Sequence, residues 1–108
     1  MIVCLPVTAD GQVGGGWGRA DRVAVAVIDN SGISSWDEIE VGWGQSHDQD
    51  GEGSHHARIA RFLTDHKVTC VIAGHMGPPM EHMLNQMQIT VRLGASGDAR
   101  AAATLARV

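Results

Sequence analysis

The chain has 108 residues, room for one compact domain spanning 1–108 and too few for two ordinary ones. With 44% hydrophobic and 19% charged residues, it should fold around a modest core rather than stay disordered. Eight basic and twelve acidic residues leave a net charge of −4, which argues against nucleic-acid binding through phosphate neutralisation.

That average hides an asymmetry. Seven of the acids (Asp29, Asp37, Glu38, Glu40, Asp48, Asp50 and Glu52) fall in a stretch with no Lys or Arg. The rest of the chain carries a net charge of +3, so an anion-binding surface is expected to avoid the middle of the sequence. The longest unbroken apolar stretch, Val23 to Ile28, is far short of a bilayer span. The apolar start Met1–Leu5 lacks the basic and long hydrophobic regions of a signal peptide. The expected location is the cytoplasm, with no membrane association. Cys4 and Cys70 each sit inside an apolar run and read as buried core thiols rather than a disulfide.

Met1 to Thr8 is apolar, rich in β-branched residues and closed by Asp10-Gly11, which predicts a buried strand. Residues 11–18 hold five glycines in eight positions and read as a loop. A second strand follows at Arg22–Asp29, then a turn at Asn30–Gly32. Rough alternation over Ile33–Trp43 predicts a half-exposed third strand, completing an antiparallel meander. The polar, acidic and glycine-rich stretch Gly44–Gly53 reads as a mobile loop.

The period then changes. Ser54 is the expected N-cap of a helix from His55 to about His66, with Ile59, Ala60, Phe62 and Leu63 facing inward. Val68–Ala73 predicts a buried strand stopped by Gly74, and Pro78-Pro79 opens a second helix to about Met87. Ile89–Leu93 is the last strand, Gly94–Gly97 a turn, and Asp98–Ala106 a short alanine-rich helix.

Three strands followed by αβαβα require right-handed crossovers and parallel pairing in the second half. The first strand then lies between the meander and the fourth strand. The predicted fold is α/β and ribonuclease H-like: a mixed five-stranded sheet of order 3-2-1-4-5, strand 2 antiparallel, flanked by three helices. Ligands on such sheets gather where connections diverge at strand carboxyl ends. That point faces the glycine loop with the segment Gly74-His75-Met76-Gly77.

A nuclease on this topology needs clustered carboxylates for two metals, and neither central strand supplies them. Gly14, Gly15, Gly16 and Gly18 match neither a P-loop nor a dinucleotide fingerprint, and their loop leads into a strand. Two readings of it stand: an anion-holding nest of backbone N–H groups backed by Arg19, or a plain hairpin loop. No nucleophile–base pair stands out, Ser54 being accounted for as a cap and the thiols as core.

From Gly74 to Met87 the chain holds two histidines and four methionines in fourteen residues. Imidazole and thioether suit soft or borderline metals and metal–sulfur clusters. Met80, Met83, Leu84 and Met87 recur at helical spacing and read as core. His75 and Met76 precede the helix, and His55 and His56 open the earlier one, so these four are the candidate metal ligands. His66 and His82 read as solvent-facing.

Four segments in order, Ile-Val-Cys-Leu-Pro-Val-Thr at 2–8, Gly-Trp-Gly-Arg-Ala at 16–20, Gly-His-Met-Gly-Pro-Pro at 74–79 and Ile-Thr-Val-Arg-Leu-Gly-Ala-Ser-Gly at 89–97, resemble the dinitrogenase iron–molybdenum cofactor biosynthesis domain of NifX/NafY type. The resemblance covers essentially the whole chain. It implies a ribonuclease H-like fold and a non-enzymatic carrier of anionic metal–sulfur clusters, of Fe/Mo or Cu/Mo type, passing them between donor and acceptor proteins as a monomer or weak homodimer. The family usually has His-Phe-Gly-Arg where this chain reads Gly16-Trp17-Gly18-Arg19, so an imidazole is missing at position 16. His47, His55 and His75 are the candidates to compensate. The expected cluster-binding set is Gly14, Gly15, Gly16, Arg19, Gly74 and Gly77, with His55, His56, His75 and Met76 as metal contacts. The rival readings are a mononuclear Cu(I) or Zn(II) protein and a cofactor-free interaction module using the meander edge and acidic loop.

Overall fold

The computed structural model describes residues 1–45 and 51–106, with only the backbone of Glu52. A five-stranded sheet runs in the order β3-β2-β1-β4-β5. Its strands are β1 (Ile2–Pro6), β2 (Arg22–Asp29), β3 (Gly32–Glu40), β4 (Cys70–Ile72) and β5 (Thr90–Arg92). β2 is antiparallel to both β1 and β3, while β4 is parallel to β1 and β5. This is the expected order, with strand 2 in the expected sense.

β1 lies at the centre, and a strand covered on both faces reads as one unbroken apolar run. It ends at Pro6, two residues short of the expected end at Thr8. The chain instead folds back so that Val7 bridges Val13, and Thr8 Oγ1 accepts from the Gln12 amide at 3.0 Å. Val7 still donates to the Arg22 carbonyl at 3.0 Å, which keeps the start of the loop against the sheet.

The third strand is also shorter than its alternation predicts. It stops at Glu40, and Gly42 takes a left-handed φ of +62° that turns the chain inward. Trp43 therefore enters the core and opens a helical turn over 43–45, at the start of the stretch read as a mobile loop. Residues 46–50 of that loop, His47 among them, lie outside the described residues.

Three further helices pack on the sheet: α1 (Glu52–Asp65), α2 (Pro78–Gln86) and α3 (Ala99–Leu105). α1 starts a turn earlier than expected. Its N-cap is Gly51, whose carbonyl accepts from the His55 amide at 3.0 Å, so Ser54 is a helical residue and not the cap. α2 opens on the two prolines as expected. α3 begins after Asp98, whose carboxylate accepts from the Ala101 amide at 2.9 Å as a true N-cap.

The sheet separates two apolar layers. On one face Cys4, Val23, Val25 and Val71 meet Ile59 and Leu63 of α1 and Met80 and Leu84 of α2. Met83 and Met87 pack at the margin of that layer, so the helical methionines are core, as their spacing predicts. Trp17, Trp43 and Phe62 add a chain of edge-to-face rings, with centroids 5.0 and 5.5 Å apart. On the other face Val3, Leu5, Ala24, Cys70 and Ile72 pack beneath Ala99, Ala103 and Ala106. Cys4 and Cys70 thus point to opposite sides of the sheet, Cys4 pairing with Val71 and Cys70 with Val3. Both are free thiols, as expected.

Candidate functional site

The ten residues of the expected binding set gather at one end of the sheet, where β1 and β4 deliver their carboxyl ends. The glycine loop is stitched to β4 there. Gly16 forms a parallel bridge with His75, and the Trp17 amide donates to the His75 carbonyl at 3.3 Å. Gly74 makes this approach possible, because a Cβ there would lie 3.1 Å from the Gly15 carbonyl oxygen. Trp17 is fully buried in the middle of the loop, and its indole N–H has no hydrogen-bond partner among the described residues. An unsatisfied buried donor costs about 1–3 kcal/mol.

The loop contributes to two separate cavities rather than one. The larger is a cleft of about 780 Å³ bounded by Gly14, Gly15, Gly16 and Arg19, by the carboxyl end of β1, and by Arg22 and Glu40. The smaller, about 150 Å³, is walled by His55, His56, Met76 and Met80, with Gly18 and Gly77 beside them. The two share no lining residue. Of the ten residues in the expected binding set, four therefore line the cleft and four the smaller cavity. Gly74 lines neither and acts through backbone packing. His75 also lines neither. Its exposed ring lies over Gly16, with Cε1 3.1 Å from where a Cβ on that residue would stand.

Not all of the glycine amides are open to a ligand. The Gly14 amide donates to the Pro6 carbonyl at 2.8 Å and the Trp17 amide to His75. A nest in this loop is therefore confined to fewer N–H groups than the sequence offers. The charge around the cleft also differs from expectation. Arg22 reaches across to Glu40 at 3.0 Å and Glu38 at 3.4 Å, and Asp21 lines the same wall. The Glu40 hydrogen bond is the first cause of a guanidinium pKa above its ordinary value. One acid of β3, Glu40, is not kept away from the cleft as its place in the sequence suggests: it lines the cleft and is offset by Arg22.

In the smaller cavity the donors are imidazole and thioether. His55 sits in the first turn of α1 and is only 1% exposed, its Nε2 facing Gly18 at 3.5 Å from the position of a Cβ there. His56 follows it, with ring centroids 6.0 Å apart. Met76 and Met80 enter from the β4–α2 connection and the start of α2. Met80 was legible in the sequence only as a core residue. Its second role depends on which side of the cavity α2 presents. Among the described residues no three His, Cys, Asp or Glu side chains converge as a metal site, so any site here depends on thioether sulfur. His66 and His82 are exposed, as expected.

The glycine-walled cleft lies at the carboxyl end of β1, the region where α/β sheets commonly bind ligands. The chain belongs to the dinitrogenase iron–molybdenum cofactor family, which matches it over residues 1–107. Its fold is similar to that of PH0822, with a TM-score of 0.74 at 20% identity over 94% of this chain and 85% of that one. A Thermotoga protein named for NifB and assigned to the DUF35 family matches with a TM-score of 0.69 at 17% identity, over 94% of this chain and 83% of that one. A Methanocaldococcus jannaschii protein named for dinitrogenase matches with a TM-score of 0.65 at 13% identity, over 97% and 86% of the two chains. Nothing among curated protein sequences matches the chain. Among the described residues no helix is long and apolar enough to cross a membrane.

Proposed function

We propose that this protein is a non-enzymatic carrier that holds an anionic metal–sulfur cluster as cargo during cofactor assembly or delivery. The observation that carries the reading is the placement of Arg19 on the glycine-walled cleft, with the His75 ring against Gly16, one of its walls, in a chain of the iron–molybdenum cofactor family. Glycine walls let a bulky inorganic ligand approach the backbone closely. Arg19 supplies a permanent positive charge with directed N–H groups, and the His75 imidazole supplies a soft contact at the rim. Asp21 and Glu40 temper the charge, which suits cargo that must be released as well as held.

The ribonuclease H-like assignment belongs to the same reading and is supported by the strand order. So do donor and acceptor proteins as partners, a monomer or weak homodimer as the working form, and a cytoplasmic location. The test is elemental and sulfide analysis of protein purified without oxygen, before and after reconstitution with a metal–sulfur cluster. Iron or molybdenum together with labile sulfide is the expected result. Neither metal on isolation, with no uptake on reconstitution, would overturn the reading.

A further inference from the structure

We propose that the smaller cavity, between the first turn of α1 and the start of α2, is a mononuclear Cu(I) site formed by His55, His56, Met76 and Met80. It goes beyond the carrier reading and does not depend on it, because the two cavities have no residue in common.

The donor set decides the metal. Every side chain with a coordinating atom on this cavity's described wall is an imidazole or a thioether, and the rest of that wall is glycine and proline. Neither kind of donor brings a negative charge. A dication such as Zn(II) would bring two charges against a described wall that carries no carboxylate or thiolate to balance them. Cu(I) brings one, and it is the common biological metal that thioether sulfur selects.

Size and placement agree with a single ion. About 150 Å³ is ample room for one metal ion. Imidazole nitrogen binds such metals at about 2.0 Å, which puts each ring centre about 3 Å from the ion. Two rings 6.0 Å apart are therefore within reach of the same atom. Consecutive histidines would normally diverge by about 100° around a helix. Here both nevertheless line the same cavity. Met76 is half-buried, in contact with both the core and the cavity, so its sulfur is held rather than free in solvent.

The test uses the full chain under anaerobic conditions, with Cu(I) supplied as its bicinchoninate complex and no sulfide present. The expected result is withdrawal of one Cu(I) per chain from the competitor, with both nitrogen and sulfur in the copper shell by X-ray absorption. Replacing buried His55 endangers the fold, so the informative variants are Met76→Leu, which conserves volume, and His56→Ala. Each should weaken Cu(I) binding roughly tenfold or more, a loss of about 1.4 kcal/mol or more. The proposal is overturned if the competitor keeps the copper, if either variant binds as the parent does, or if equimolar Zn(II) displaces the ion. Cluster uptake at the cleft is read separately through labile sulfide, so the failure of one proposal leaves the other standing.

Discussion

The imidazole of His75 occupies the place that a side chain on Gly16 would take, with Cε1 3.1 Å and Nε2 3.4 Å from the position of its Cβ. The two residues are bridged across the loop and the end of β4. An imidazole on the neighbouring segment thus lies beside position 16, at the same end of the sheet. Of the three candidates to compensate for Gly16, His75 stands beside it, His55 is buried in the smaller cavity, and His47 lies outside the described residues.

This predicts that the ring is transferable. His75→Gly should weaken retention of a reconstituted cluster by about tenfold, the equivalent of about 1.4 kcal/mol. Gly16→His combined with His75→Gly should restore it, because the space vacated by one ring receives the other. Gly16→His alone should cost under about 1 kcal/mol, since the exposed His75 ring is able to swing aside. Cluster retention and urea unfolding of the three variants form a double-mutant cycle, and additive effects would refute the exchange.

The two arginines at the cleft should behave differently. Arg19→Ala should reduce cluster retention and make what remains less sensitive to salt. Arg22→Ala removes the counter-charge to Glu38 and Glu40, so it should also weaken retention through repulsion. Its effect on stability should stay below about 1 kcal/mol, because the pair is partly exposed. Cluster release measured against ionic strength, beside thermal melting, checks both.

The thiols carry a pH signature. Burial pushes Cys4 far above its ordinary value of 9.0 and also raises Cys70, the latter opposed in part by Arg92. Above about pH 9 the unfolded chain loses these protons while the folded chain keeps them. Stability should therefore be unaffected by the thiols below that pH and fall above it, by up to about 1.4 kcal/mol per pH unit for each thiol. Cys4→Ala should flatten the alkaline slope measured by urea titration. In the native protein neither thiol should react with a thiol reagent faster than the chain unfolds.

The aromatic chain makes Trp43 a pillar of the first layer. Trp43→Ala should destabilise the domain by about 3–5 kcal/mol, since it leaves a void between Trp17 and Phe62. Trp43→Phe should cost less. Differential scanning calorimetry will rank the two, and equal losses would mean that the ring is not what supports the layer.

Much of the fold was legible because its signals are local. The unbroken apolar run of β1, the prolines opening α2 and the change of period after Gly53 each reflect backbone geometry over a few residues. Strand order followed from the rule that parallel crossovers are right-handed. The misplacements came where tertiary contacts override a local signal. Ser54 is a good cap in isolation, yet α1 gains a turn by using the Gly51 carbonyl. Trp43 alternates correctly for β3, yet its burial against Trp17 and Phe62 outweighs extending an edge strand. The acids of β3 are distant from Arg19 in sequence, but hairpin pairing brings Glu40 opposite Arg22 and onto the cleft.

The sequence by itself determined the main elements, their order in the sheet, the buried thiols and the end at which the candidate residues gather. Periodicity, breakers and chain connectivity are enough for that. Only the tertiary structure decided how those residues divide. The glycine loop feeds a cleft with Arg19 and a second cavity with His55, His56, Met76 and Met80, while His75 covers Gly16 beside the cleft. Beyond a strand end no repeating geometry dictates where a side chain points. Packing of the loop against β4 and of α1 against the sheet sets those directions instead.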